Sequence, residues 1–176
     1  MKSKKFISFI TVILIVALAM VSCSKDSDAP DGMKELSTDK NAYNFYVYTQ
    51  WIVDEQNTQC AYYSSTDRSN VSMAAYAPDA SFKTVEEYYN ATVKQYEDSL
   101  ADFVKVESNS DAKMFEYNAY KLVYTFSFGG QQFKVMQVMT LHQGLIYIFS
   151  YTSSPDSFDL HIEDAEAMLK EITFEA

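Results

Sequence analysis

Glycine, proline and cysteine are scarce in this chain, at four, three and two residues of 176. The glycines are Gly32, Gly129, Gly130 and Gly144, and their spacing composes no P-loop, G-x-G-x-x-G turn or G-x-S-x-G nucleophile elbow. So few glycines and prolines also leave little room for flexible linkers. Arginine occurs once, at Arg68, and 14 basic residues stand against 24 acidic ones, for a net charge of −10. That balance excludes a nucleic-acid interface, whose affinity rests on basic side chains against phosphate. It equally excludes charge-driven docking on an anionic membrane. The only histidines, His142 and His161, lie 19 residues apart without a neighbour at zinc-ligand spacing. Each is expected to be a surface or capping histidine.

Hydrophobic residues make up 48% and charged ones 22%, the balance of a globular chain. Fourteen tyrosines and 12 phenylalanines favour strands with filled faces. The length suits one ordinary domain, whose core needs neither disulfide nor metal.

The first cysteine sits at a sharp change of polarity. Residues 2–5, KSKK, are basic; residues 6–21 are almost wholly apolar; polarity returns at CSKDSDAPDG from Cys23. This order is that of a secretory signal peptide over residues 1–22. Met20, Val21 and Ser22 before Cys23 resemble the lipobox of bacterial lipoproteins. In that family the cysteine thiol receives a diacylglyceryl group and becomes the mature N-terminus. Cys23 is therefore expected to be the lipid attachment site, with the protein extracytoplasmic and lipid-anchored to the cell membrane. A retained membrane-spanning helix and a Cys23–Cys60 disulfide are the competing readings. Removing Lys2, Lys4 and Lys5 with the leader leaves 11 basic against 24 acidic residues, net −13.

Residues 23–42 are expected to form a polar tether. Its DSDAPDG does not make a calcium loop: counted from Asp26, position 5 is Pro30 and position 12 is Ser37. From residue 43 short aromatic and β-branched runs, YNFYVYT, WIVD, QCAYYSS and NVSMAAYA, predict strands. Cys60, in the third run, is expected to be a buried, inert thiol. Thr84 and Glu87 spell a capping box, and Val85, Tyr88, Tyr89, Thr92, Tyr96 and Leu100 recur at helical spacing. A short strand at FVKVE and a polar bend follow. Gly129-Gly130 and Gln143-Gly144 predict two tight hairpins. They pair Phe126 with Phe133, Tyr124 with Val135, Tyr120 with Met139, Met139 with Ile148 and Leu141 with Ile146. Val123, Met136, Val138, Phe149 and Tyr151 fall on the opposite face, so both faces of this meander are apolar and each needs a cover. Ser154 and Pro155 open a last helix whose stripe is Phe158, Ile162, Ala165, Leu169 and Ile172. The expected fold is α+β: a central antiparallel sheet between helices, in three αβα layers.

The segments RSNVSMAAYAP and GLIYIFSYTSSPDSFDLHIEDAEAMLKEITF, with Trp51, Asn70-Val71-Ser72 and Tyr147, resemble the PsbP family over residues 43–176. The resemblance implies a PsbP-like αβα sandwich of the kind carried by many bacterial lipoproteins. It implies photosystem II as a partner only for a photosynthetic source.

The search for chemistry gives no catalytic residue, no cofactor and no metal ligand. Glu86, Glu87, Glu97, Asp98, Glu163, Asp164 and Glu166 fall mainly on outward helix faces, where solvation rather than acid–base work is expected. Met136 and Met139 alternate sides of one strand as core fillers. Tyr62, Tyr63, Tyr76 and Tyr117 are the candidate partner or ligand surface, since tyrosine joins an apolar body to a polar tip. The expected function is that of a non-catalytic, membrane-anchored lipoprotein assisting or scaffolding an envelope protein complex. A ligand- or calcium-binding lipoprotein is the alternative.

Overall fold

The computed structural model describes residues 29–36, 43–57 and 59–174. The expected signal peptide, the lipid site Cys23 and residues 24–28 and 37–42 of the expected tether lie outside these. In chain order the elements are β1 (Met33–Glu35), β2 (Tyr43–Asn44), β3 (Tyr46–Tyr48), β4 (Ile52–Val53), β5 (Cys60–Tyr62), β6 (Asn70–Tyr76) and α1 (Val85–Ser99). There follow β7 (Ala101–Met114), β8 (Tyr117–Phe128), β9 (Gln131–His142), β10 (Leu145–Ser153), α2 (Pro155–Lys170) and β11 (Thr173–Phe174).

Seven strands make one antiparallel sheet, ordered β4-β5-β6-β10-β9-β8-β7. Two ribbons, β1–β3 and β2–β11, stand apart from it. The β8-β9-β10 meander has the expected register, pair for pair, from Phe126 with Phe133 to Leu141 with Ile146. Both turns place two successive residues in the left-handed region: Gly129 and Gly130 at φ 60° and 79°, Gln143 and Gly144 at 48° and 78°. That twist matches the strands it joins, so the turns lock the register.

The helices start where their caps are written. Thr84 Oγ1 accepts from the Glu87 amide at 3.2 Å, and Glu87 accepts from the Thr84 amide at 3.2 Å. Ser154 Oγ accepts from the Ser157 amide at 3.3 Å, with Pro155 opening the first turn of α2.

Each face of the sheet carries its own core. On the α2 face Val123, Met136, Val138, Phe149 and Tyr151 pack with Phe158, Ala165, Met168 and Ile172. Phe45, Val47 and Trp51, from the N-terminal segment, complete that layer. On the α1 face Leu122, Tyr124, Val135, Met139, Ile146 and Ile148 pack under Tyr89 and Val93.

The expected helix–sheet–helix layering needs correction, because neither helix covers its face alone. α1 packs on β7, β8 and β9. Beyond it Asn70 and Ser72 on β6 are half-buried, and Ala74 and Tyr76 are exposed. The tether also needs correction. Met33, Lys34 and Glu35 pair with Tyr48, Val47 and Tyr46, and Leu36 is buried in the core. The expected bend after FVKVE is absent. β7 runs 14 residues and stays paired with β8 to Met114–Tyr117, through three register shifts. On α2 the inward stripe is Phe158, His161, Ala165 and Met168, while Ile162 and Leu169 are half-buried.

Candidate functional site

The densest polar cluster forms where the loop before β6 meets the start of α2. Asp67 sits in a turn closed by its amide on Ser64 Oγ at 2.9 Å. Its Oδ1 accepts from the Ser69 amide at 2.9 Å and from the Ser69 hydroxyl at 2.6 Å. Ser69 Oγ also lies 2.7 Å from Ser153 Oγ, both residues being buried. The other carboxylate oxygen, Oδ2, is 3.0 Å from Nε2 of His161. Burial raises the Asp67 pKa, but the Ser69 hydroxyl and amide and the His161 contact outweigh it and hold the carboxyl below its ordinary range.

Aromatic rings frame this cluster. The His161 ring centre lies 3.9 Å from that of Tyr63, and Trp51 meets His161 edge-on at 6.2 Å. The Arg68 guanidinium lies over the Tyr62 ring, 3.8 Å from its centre. Alongside is an open recess of about 300 Å³ lined by Arg68, Ser69, Asn70, Ser153, Ser154 and Ser157.

A serine, a histidine and an aspartate together invite a comparison with nucleophilic catalysis. The connections are wrong for it: a nucleophile needs its hydroxyl on the imidazole, with the carboxylate behind. In this cluster the carboxylate stands in the middle, bound to the hydroxyl on one oxygen and the imidazole on the other. The cluster ties the loop to α2 and leaves Arg68, Ser154 and Ser157 among the residues lining the recess.

The four candidate tyrosines are not brought to one groove. Tyr62 and Tyr63 border the cluster just described. Tyr76 lies at the other end of β6, on the α1 face, with its hydroxyl against that of Tyr88. Tyr117 is at that same end but on the α2 face, its ring 4.1 Å from that of His142 and 5.5 Å from Phe174.

Both histidines depart from expectation. His161 is 8% exposed, because helical spacing places it between Phe158 and Ala165 on the inward stripe. That spacing was the available signal; its partner, 94 residues earlier, had none. His142 packs among Tyr117, Tyr147 and Phe174, and its Nε2 is buried without a hydrogen-bond partner. The Tyr43 hydroxyl and Trp51 Nε1 share that condition. Burial, with Tyr147 nearby, pushes the Tyr43 phenol up to about 12.

Cys60 is half-buried rather than buried, with Sγ 4.0 Å from Asn70 Oδ1. Burial and then Asp54 raise its thiol pKa against the opposing pull of Arg68, so the neutral thiol is favoured. Glu166 is not simply solvated: it pairs with Lys121 at 3.1 Å, and Glu107 reaches the same amine at 3.4 Å. Among the described residues no three His, Cys, Asp or Glu side chains stand together as a metal would require. No helix among them is long and apolar enough to cross a membrane.

Comparison with known proteins gives a family and a fold. The DcrB family matches residues 54–171. Among solved structures, the Pseudomonas aeruginosa protein PA94, of unknown function, aligns with a TM-score of 0.60 at 14% identity, over 82% of this chain and 98% of its own. Cyanobacterial PsbP (CyanoP) from Synechocystis aligns with a TM-score of 0.59 at 15% identity, over 88% and 98%. A Bacteroides thetaiotaomicron crystal structure aligns at 0.51 and 13% identity, over 77% of this chain and 46% of that one. At such identities the likeness is one of fold, and the fold is PsbP-like. No curated protein matches the sequence.

Proposed function

The chain belongs to the DcrB family, and on that footing we propose that it is a non-catalytic lipoprotein, anchored through Cys23, that assists or scaffolds an envelope protein complex. Its domain is read as a PsbP-like αβα sandwich with incomplete helical layers. The observation that carries the proposal is β7. This strand ends the sheet, and nearly all of its 14 residues are exposed. Val104 and Val106 are 56% and 55% exposed on it, two β-branched side chains two positions apart on an open strand. Three register shifts and the charges of Asp102, Lys105 and Glu107 blunt the strand against indiscriminate edge pairing. What remains is a long, bounded surface suited to one protein partner.

The test is photo-crosslinking in intact cells, with the probe at residue 104 or 106 and a control probe at Glu97 on α1. One dominant protein adduct, formed from β7 and abolished by a nearby Val→Lys change, is expected. Equal adducts at Glu97, or none at β7, would overturn the proposal.

The recess beside Arg68 favours a second reading, a ligand-binding lipoprotein. A thermal shift with a small carboxylate, phosphate or calcium, lost in Arg68→Ala for the anions, would favour it over the first.

A further inference from the structure

We infer that the anchored domain stands on the bilayer surface by its β4 edge, holding β7 outward. The inference rests on the proposed anchorage at Cys23. Three observations carry it.

The first is where the chain joins the fold. The Thr49 amide donates to the Gly32 carbonyl at 2.9 Å, and Lys34 Nζ donates to the carbonyls of Thr49 and Trp51 at 3.2 and 2.7 Å. Residues 32–34 are thus fastened to the turn that leads straight into β4, which ends the sheet opposite β7. The second is length. From Cys23 to Ala29 there are six residue steps, a reach of about 20 Å when fully extended. The seven-stranded sheet is wider, about 29 Å at some 4.8 Å per strand. The lipid therefore holds the β4 edge near the surface while β7 can lie beyond the leash.

The third is the chemistry of that edge. Ile52 and Tyr63 are 40% and 36% exposed there. Tyr62 carries Arg68, the sole arginine of a chain of net charge −10. An aliphatic side chain, amphipathic rings and a guanidinium suit a phospholipid headgroup layer. Asp54 and Glu55 directly follow β4, and Asp31 directly precedes Gly32, so carboxylates border this edge and the contact is shallow. The acyl chains provide the affinity and the edge provides orientation.

The test uses the full lipidated chain with Cys60→Ser, a fluorophore at Ile52→Cys or Val104→Cys, and phosphatidylcholine–phosphatidylglycerol vesicles bearing a headgroup quencher. Circular dichroism checks each variant for folding, and mass spectrometry of the N-terminal peptide checks for lipid on Cys23. Severalfold stronger quenching at 52 than at 104 is expected. Lipid present with equal quenching, or stronger quenching at 104, overturns the orientation alone. An N-terminal peptide without lipid mass overturns the anchorage and the orientation together.

Discussion

The two faces of the sheet answer one problem differently. An α-helix is about 10 Å wide with its side chains, enough to cover two strand spacings. Seven strands therefore need more than one helix per face. The α2 face obtains it: β1 to β3 and Trp51 lie beside α2, and the buried layer runs from Ala61 on β5 to Met114 at the end of β7. The α1 face has its 15-residue helix, and on β6 Asn70 and Ser72 stay half-buried and Ala74 is exposed. A strand wet on one face and dry on the other reads as alternation, and the order Asn70, Val71, Ser72, Met73 is that pattern. Cover, not sheet width, decides how far a core extends.

The contrast can be broken by substitution. Trp51→Ala, at a wholly buried position, is expected to cost about 3–5 kcal/mol. Tyr62→Ala on the open half should cost about 1 kcal/mol, roughly the worth of its exposed cation–π contact. Urea unfolding followed by far-UV circular dichroism measures both. Similar costs would mean that the open half is structurally closed.

A finer comparison uses two methionines of β9, both fully buried but on opposite faces. Met136→Ala and Met139→Ala are each expected to cost about 2–5 kcal/mol. A much smaller cost at Met139 would show that α1 sits loosely on its half. Next in size is the cap: Thr84→Ala should cost about 1 kcal/mol and speed amide exchange through the first turn of α1.

The smallest effect is confined to acid. Asp67 has its folded pKa lowered by Ser69 and His161 against burial. Its contribution is therefore complete above the unfolded carboxylate value, about 3.9. It fades as pH falls through the folded value. Urea midpoints measured from pH 6 downward should decline less steeply below pH 4 in Asp67→Asn than in wild type. Parallel declines would remove Asp67 as a contributor.

How much of this was legible follows the range of the interactions. The meander was, residue by residue, because two-residue turns convert local sequence into register. Both helices were, because their caps are local too. β1 was not: a three-residue strand shows no period, and Met33 and Leu36 are two apolar residues in a polar run. The second half of β7 was hidden because SNSDAK has low strand propensity, and only pairing with β8 holds it extended. In the candidate site, Tyr62 and Tyr63 were found from composition. His161 carries a polar side chain at a helical position that buries it, so residue type and spacing point in opposite directions there. Its link to Asp67 belongs to tertiary structure and leaves no mark in either segment.

Trp51 is the sole tryptophan, wholly buried between Tyr63 and His161, with Lys34 of β1 on its carbonyl. Selective excitation of the chain at 295 nm (about the red edge of indole absorption) therefore illuminates one place only, the junction where β1, α2 and the β4 edge meet. A red shift that precedes the loss of circular dichroism would time the release of the N-terminal cover separately from the sheet. A single transition would make the junction and the sheet one cooperative unit.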